Sequence, residues 1–309
     1  MTGAGGAVAA REPIADATRR RIGPREFDFA RQVAVMAVIN RTPDSFYDRG
    51  ATFALDRAVE SALRAAELGA DWVDVGGVPF GRGPAVTPAE ELDRVVPLVD
   101  AIAAARADLV ISVDTNSAEV ASAAIAAGAS VINDTSGLGD PRMAEVIADS
   151  DAHIVLTHSV GPPRAEKPAA HFDDVIAEVR GFLRERMTRA EAAGVPRSRM
   201  IVDPGHDLDK NTLHSLEITR RIHEFADLGA PLLVAVSNKD FIGESIDRAQ
   251  GERLAGSLAA MTACILGGAR IVRMHDIAET VDAVRMTEAI LGMRRPARLE
   301  HNTHPTHNV

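Results

Sequence analysis

One cysteine and one tryptophan occur in 309 residues, and aromatic residues make up only 4% of the chain. A single thiol excludes a disulfide framework and fits a reducing compartment. Cys264, inside the apolar run AAMTACILGGA, reads as a buried core side chain. An excess of basic charge is also missing: the formal net charge is −10, with acids and bases mixed throughout. That balance argues against nucleic acid or an anionic membrane surface as a partner, since both attract a basic face. No stretch reaches about eighteen uninterrupted apolar residues, and the start, MTGAGGAVAAREP, lacks a basic region followed by a continuous apolar one. The expectation is a soluble, cytoplasmic protein whose partner is a small molecule or another protein.

What is present is enough apolar material for a sizeable core, 46% of residues. Residues 1–28 are rich in Gly, Ala and Arg without clear periodicity, and residues 293–309 end in HNTHPTHNV. Both are expected to be flexible tails, and the tail histidines His301, His304 and His307 read as solvated. Between them, over 29–292, short β-branched runs alternate with Ala-rich amphipathic stretches. Eight strand candidates stand out: 33–39, 71–75, 109–113, 130–133, 153–156, 200–203, 232–236 and 270–274. Each is a continuous rather than an alternating run, as strands covered on both faces should be. Several helices close on glycine before the next strand, at Gly69, Gly128, Gly194, Gly229 and Gly268, where a left-handed C-cap is needed. Eight βα units in one domain predict an α/β fold, a (β/α)8 barrel of the TIM type. The alternative, a doubly wound sheet, lacks its GxGxxG phosphate loop, because the first strand–helix turn reads INRTPDSF.

Polar residues gather where these strands end: Asn40, Gly76–Gly77 after Asp74, Asp114, Asn133 with Asp134, His158, Asp203, Lys239, and Arg273 with His275 and Asp276. The C-terminal ends of barrel strands are where such folds build their sites. Asp114 and Asp203 can accept paired N–H groups from a guanidine-like ring edge. Asn133 can donate and accept, and Lys239 can reach a ring carbonyl or nitrogen. Arg273 and His275, one residue apart on one side of an extended strand end, suit an anion such as a phosphate. Asn40 offers a neutral oxygen to a hard cation, and Mg²⁺ takes few protein ligands beside phosphates and water.

The motifs INRTPDSF, SVDT at 112–115, IND at 132–134, LTH at 156–158, VDPG at 202–205, VSNKDFIG at 236–243 and RMHD at 273–276 together resemble the dihydropteroate synthase family. The resemblance runs over about residues 33–292, in the family's order and spacing. It implies a barrel, usually homodimeric, that joins 6-hydroxymethyl-7,8-dihydropterin diphosphate to 4-aminobenzoate with loss of diphosphate. It further implies that Asp114, Asn133, Asp203 and Lys239 bind the pterin, that Arg273 stacks on it and meets the diphosphate with His275, and that Asn40 ligates Mg²⁺. Asp44 belongs to the first loop, which the family closes over the reacting centre. The related barrel that binds methyltetrahydrofolate in corrinoid methyltransferases is disfavoured by RMHD, since it handles no diphosphate.

Departures from the family pattern cluster on the second-substrate side. The family's Gly-Gly-Glu-Ser-Thr-Arg-Pro-Gly is here Gly76 to Gly83, with Phe80 and Gly81 at the Thr and Arg positions and Arg82 displaced by one as a substitute. The family's Ser-Arg-Lys-Ser is Ser237-Asn238-Lys239-Asp240, and its Asp-Pro-Gly-Ile-Gly-Phe-Gly-Lys is Asp203 to Lys210, bringing in His206, Asp207, Leu208 and Asp209. A carboxylate facing the carboxylate of 4-aminobenzoate at about 4 Å would cost about 4 kcal/mol at an effective dielectric near 20, and about 1 in water. Three readings follow: drift within an active dihydropteroate synthase, a divergent second-copy paralogue whose synthase activity is weak, altered or lost, and a non-catalytic pterin-binding or regulatory protein on the same barrel.

Overall fold

The computed structural model describes residues 18–40, 50–79, 83–161 and 171–302. Strands β1 (Arg19–Ile22) and β2 (Arg25–Asp28) form an antiparallel hairpin. The barrel strands follow, each with its helices: β3 (Ala34–Asn40) and α1 (Gly50–Glu67), β4 (Trp72–Gly76) and α2 (Pro88–Ala105), β5 (Val110–Asp114) and α3 (Ala118–Ala126), β6 (Val131–Asp134) and α4 (Met143–Ala148). Then come β7 (His153–Thr157) and α5 (Val175–Ala192), β8 (Met200–Asp203) with α6 (Thr212–Arg220) and α7 (His223–Ala226), β9 (Leu233–Val234) with α8 (Asp240–Ile246) and α9 (Leu254–Leu266), and β10 (Ile271–Met274) with α10 (Ile277–Ile290). The eight strands β3 to β10 are parallel, in the order β8-β7-β6-β5-β4-β3-β10-β9, and a parallel bridge between Val202 and Leu232 closes the ring. This is the expected (β/α)8 barrel.

Local chemistry sets the element ends. Thr87 caps α2 with a full capping box to Glu90, and Pro88 opens the helix. The five glycines expected to close helices all have left-handed φ, between +81° and +116°. Strand β9 is shorter than the 232–236 run suggests. Beyond Val234 the chain turns away, because Asn238 takes φ +57° and is held to α9 by its N–H on Ser257 Oγ (3.1 Å) and its carbonyl on Arg253 Nη1 (2.9 Å).

The assignment of all of 1–28 to a flexible tail is corrected by the hairpin. Ile22 and Phe27 are fully buried and pack with Phe29 against Ala34, Met36, Trp72 and Val110 inside the N-terminal end of the barrel. A barrel this size must be filled by side chains at both ends, and alternation in these short strands supplies the plug. Gly23 makes the two-residue turn with φ +53°, and a Cβ there would clash with the Ser130 side chain. At the other end, residues 293–302 form no helix or strand. Among the described residues no helix is long and apolar enough to cross a membrane.

Because the plug sits at the end of the barrel opposite the polar strand ends, Phe27→Ala should lower stability by roughly 3–5 kcal/mol and leave ligand affinity at the mouth within about twofold. Urea midpoints and calorimetry on the same variant check both halves of that statement.

Candidate functional site

Period-two alternation decides which polar groups meet. In β4, Trp72 packs into the barrel interior while Val73 and Val75 pack outward against helices; in β5 Val110 is inside and Ile111 and Val113 are outside. The same parity carries Asp74, Ser112, Asp114, Asn133, Asp203 and Arg273 inward, one layer above the apolar plug. Asp74 is fully buried (0% exposed) at the centre of this layer. Its Oδ1 accepts the Ser112 hydroxyl at 2.5 Å, and its Oδ2 accepts Asn133 Nδ2 at 3.0 Å and Arg273 Nε at 2.6 Å. Arg273 then reaches Asp114 Oδ2 through Nη2 at 3.2 Å. Burial opposes the Arg273 charge, and the Asp74 and Asp114 carboxylates outweigh it and raise its pKa.

The remaining polar groups stand at the C-terminal ends of their strands or just beyond them. Among the described residues, Asn133 Oδ1 is buried with no hydrogen-bond partner. Asp203, almost fully buried, accepts the Gly205 N–H at 2.7 Å. Burial pushes its carboxyl up to about 6, against that bond and the Lys239 and Lys210 charges. Burial likewise raises Asp114; Arg273 pulls it back, and Asp74 and Glu91 push it further up. Lys239 is half-buried, ahead of α8, with its pKa lowered by burial. His275, exposed just past β10, has its N–H on Ser237 Oγ at 3.2 Å and its Nδ1 at 2.9 Å from the same oxygen. Asn40 is exposed at the end of β3, its Oδ1 within 3.3 Å of where a Cβ on Gly76 would stand. Asn40, Asp114, Asn133, Asp203, Lys239, Arg273 and His275 thus share the C-terminal face of the barrel, while Asp44, Phe80, Gly81 and Arg82 lie outside the described residues. Acceptors at Asp114, Asp203 and Asn133 Oδ1 beside the Lys239 donor can hold a flat heterocycle edged with N–H groups.

Other polar strand-end residues serve the loops. Asp134 accepts the N–H groups of Ser136 (2.9 Å) and Leu138 (2.6 Å). Lys210 is buried, its Nζ donating to His158 Nδ1 (2.9 Å), Gly205 O (2.9 Å) and Leu208 O (3.0 Å). Burial lowers its pKa to about 7. His206 stacks on Phe241 at 5.8 Å, with Nε2 3.1 Å from Thr219 Oγ1.

The new acids of the altered loops all have local partners. Asp240 is 81% exposed and pairs with Arg253 at 2.9 Å. Asp209 accepts the Val160 N–H at 2.8 Å, and Asp207 accepts Phe241 N–H at 3.2 Å and Ser215 Oγ at 2.9 Å. Asp207 and Asp209 take φ +60° and +57°, a left-handed backbone that Asp tolerates better than most residues. The Asp207 charge still reaches the site, where it acts against the lowering of the Lys239 pKa by burial.

Asp74 and Ser112 in the polar layer, and Lys210 in the loop after β8, are placed by the structure where the strand-end pattern does not single them out. Parity identifies the first two, since counting back two residues from Gly76 and from Asp114 lands on them. Nothing in the sequence marks Lys210 as buried.

A barrel with this polar floor defines a class: the chain belongs to the pterin-binding enzyme family, whose pattern matches residues 36–275. Within that class it is a divergent member of the dihydropteroate synthase family. It is 44% identical over 273 residues to a Mycobacterium leprae protein named inactive dihydropteroate synthase 2, covering 85% of this chain and 92% of that one. It is 40% identical over 267 residues to dihydropteroate synthase of Escherichia coli K12, covering 86% and 94%. The structure of Xanthomonas albilineans dihydropteroate synthase with 4-aminobenzoic acid superposes with a TM-score of 0.82 at 39% identity, covering 89% of this chain and 98% of that one. The same enzyme in complex with 7,8-dihydropteroate gives 0.79 at 39% identity over 88% and 98%.

The buried imidazoles make the loops acid-labile. Burial, with Lys210 nearby, lowers His158 and His206 to about 3, below the ordinary value near 6.5. The unfolded chain therefore takes up protons that the folded one refuses, so this contribution is complete above about pH 6.5 and is lost as pH falls toward 3. Asp203 works in the opposite sense between pH 6 and 4, which makes a paired comparison necessary. His206→Ile, the family's residue, should flatten the fall of Tm with decreasing pH and gain roughly 2 kcal/mol at pH 5 relative to wild type. Thermal melts of both proteins from pH 8 to 4.5 test this.

Proposed function

We propose that the chain binds 6-hydroxymethyl-7,8-dihydropterin diphosphate at the barrel mouth and carries out a dihydropteroate synthase-type transfer that its rebuilt second-substrate side makes weak. The observation that carries this reading is the floor in which Asp114, Asp203 and the unpartnered Asn133 Oδ1 present acceptors to one ring edge. Asp114, Asn133, Asp203 and Lys239 hold the pterin. Its edge takes over the Asp114 oxygen that Arg273 Nη2 now contacts. Arg273 then lies against the ring, and with His275 it receives the diphosphate.

The C–O bond at the pterin methylene breaks with its electron pair leaving on the diphosphate, and the arylamine nitrogen attacks the carbon and gives up a proton. No nucleophilic side chain is required; the Arg273 and His275 environment stabilises the departing charge. Among the described residues there is no cluster of three or more His, Cys, Asp or Glu able to hold a metal by themselves. A single neutral oxygen at Asn40 nevertheless fits Mg²⁺ that is held mainly by diphosphate and water. When bound, Mg²⁺ would add positive charge beside the leaving group. Asp44 and Arg82 belong to the reading as loop residues that close over the reacting centre and replace the missing family arginine.

A second reading, a non-catalytic pterin-binding or regulatory paralogue, is favoured by the rebuilt loops with Asn238, Asp240, Asp207 and Asp209, and by relatives that bear the name inactive. Calorimetry with the pterin diphosphate and an assay of diphosphate release separate the two. The first reading expects binding, with slow release that needs both 4-aminobenzoate and Mg²⁺ and fails in Asp114→Ala and Lys239→Ala. Binding with no release, and no rescue of a strain lacking its own synthase, selects the second. Absence of pterin binding overturns both.

A cytoplasmic homodimer belongs to the same proposal. Leu266, Met286, Ile290 and Leu291 are exposed on or beside the neighbouring helices α9 and α10, an apolar face that a second copy would cover. Light scattering is expected to report a dimer for wild type and a monomer for the double substitution Met286→Lys, Ile290→Lys.

A further inference from the structure

We propose that Asp74 is a positioning residue that fixes the hydrogen-bond polarity of the ring-binding floor: by accepting from Asn133 Nδ2 it turns Asn133 Oδ1 toward the ligand. The inference rests on the pterin reading above for the identity of the ring, and on the barrel geometry for the role. Both Asp74 oxygens accept from their neighbours, whereas an asparagine amide has a donor end and an acceptor end. Asp74 Oδ2 lies 3.0 Å from Asn133 Nδ2 and 2.6 Å from Arg273 Nε, and Ser112 holds Oδ1 at 2.5 Å. The three donors come from β5, β6 and β10, so the carboxylate cannot rotate without breaking bonds to other strands. The amide of Asn133 is thereby locked, and its Oδ1 is the end left buried with no partner among the described residues. The same carboxylate holds Arg273 by Nε, a bond that stays in place when the ring edge takes over the Asp114 oxygen on Nη2.

The floor therefore accepts from a ring edge bearing N–H donors and rejects the edge in which a carbonyl replaces an amino group. The energetic basis is that a buried polar atom left opposite a like partner loses its water without gaining a bond. Remote from the mouth and fully buried, Asp74 acts only through the two side chains it orients.

The test compares pterin with lumazine, which carries a 2-oxo group where pterin has its 2-amino group. Wild type is expected to favour pterin by tenfold or more. Asp74→Ala removes the acceptor, so nothing then holds the Asn133 amide in one orientation. It should weaken pterin and lower the pterin-to-lumazine ratio at least threefold, with Asp114 and Asp203 remaining as acceptors. Asp74→Asn can keep its oxygen on Asn133 Nδ2 and Arg273 Nε and place its nitrogen on Ser112 Oγ, so it should retain most of the ratio. A general loss of structure would weaken both ring systems alike and would not distinguish the two variants. Retention of the wild-type ratio within twofold in Asp74→Ala overturns the proposal.

A second readout, taken on wild type, needs no pterin. The Asn133 side-chain NH₂ signals, identified by their loss in Asn133→Asp or by selective labelling of asparagine, should exchange slowly with solvent, and fast exchange overturns the role of Asp74. Slow exchange with no pterin binding would sink the functional reading while leaving the positioning role standing.

Discussion

A carboxyl group buried inside a barrel needs donors to replace the water it has lost, and Asp74 has three of them. Burying an ion pair such as Asp74 with Arg273 costs several kcal/mol of desolvation, and the pairing offsets it only if the geometry is good and the remaining lone pairs are used. Bonds of 2.5 to 3.0 Å from Ser112, Asn133 and Arg273 satisfy the requirement. The consequence reaches beyond Asp74. Arg273 is a long side chain on β10 that must reach toward β4 and β5, and it is straightened by charge at both ends of its guanidinium. Strands far apart in sequence are thus tied at their mouths by one polar layer, just above the apolar layer that the hairpin completes.

Those two layers separate stability from chemistry. Trp72, Phe27, Ile22 and Met36 fill the N-terminal end with no exposure to solvent above 1%, and none of them reaches the mouth. At the C-terminal end the residues are polar, their backbone held by strand pairing and their side chains by one another. The arrangement is the usual division of labour in (β/α)8 barrels. In this chain it also explains why ionisable groups can be buried near the site: the strands are already held by the apolar layer below them.

Most of this is legible in the sequence, and what is not has identifiable causes. Continuous runs, five of them following a helix-closing glycine, mark the barrel strands within one residue at most ends, because both faces of such strands are covered. The hairpin is hidden since β1 and β2 are four residues each and expose Arg19, Arg21 and Glu26, which looks like a polar tail until Phe27 and Ile22 have somewhere to go. Asp114, Asn133, Asp203, Lys239, Arg273 and His275 are visible as strand-end polar residues. Asp74 is overshadowed by the two glycines that end its strand, although its parity places it inside. Lys210 lies in a loop rich in charge, and only the fold shows its ammonium enclosed by carbonyls and His158.

The pattern of change around the site follows from the same energetics. At the floor, replacing any member of the Asp74 network leaves a buried donor or charge without its partner, which costs about 3–5 kcal/mol when an ion pair is broken. At the rim, the changes to Asp207, Asp209 and Asp240 cost little: two take a left-handed backbone that Asp tolerates, and all three carboxylates find donors in their own or adjoining loops. On the proposed reading these changes lie on the second-substrate side and the Asp74 network on the ring-binding side. The integrity of that network is also a condition for folding a barrel with an ion pair inside it. An intact network is therefore compatible with either an active or an inactive member of the family.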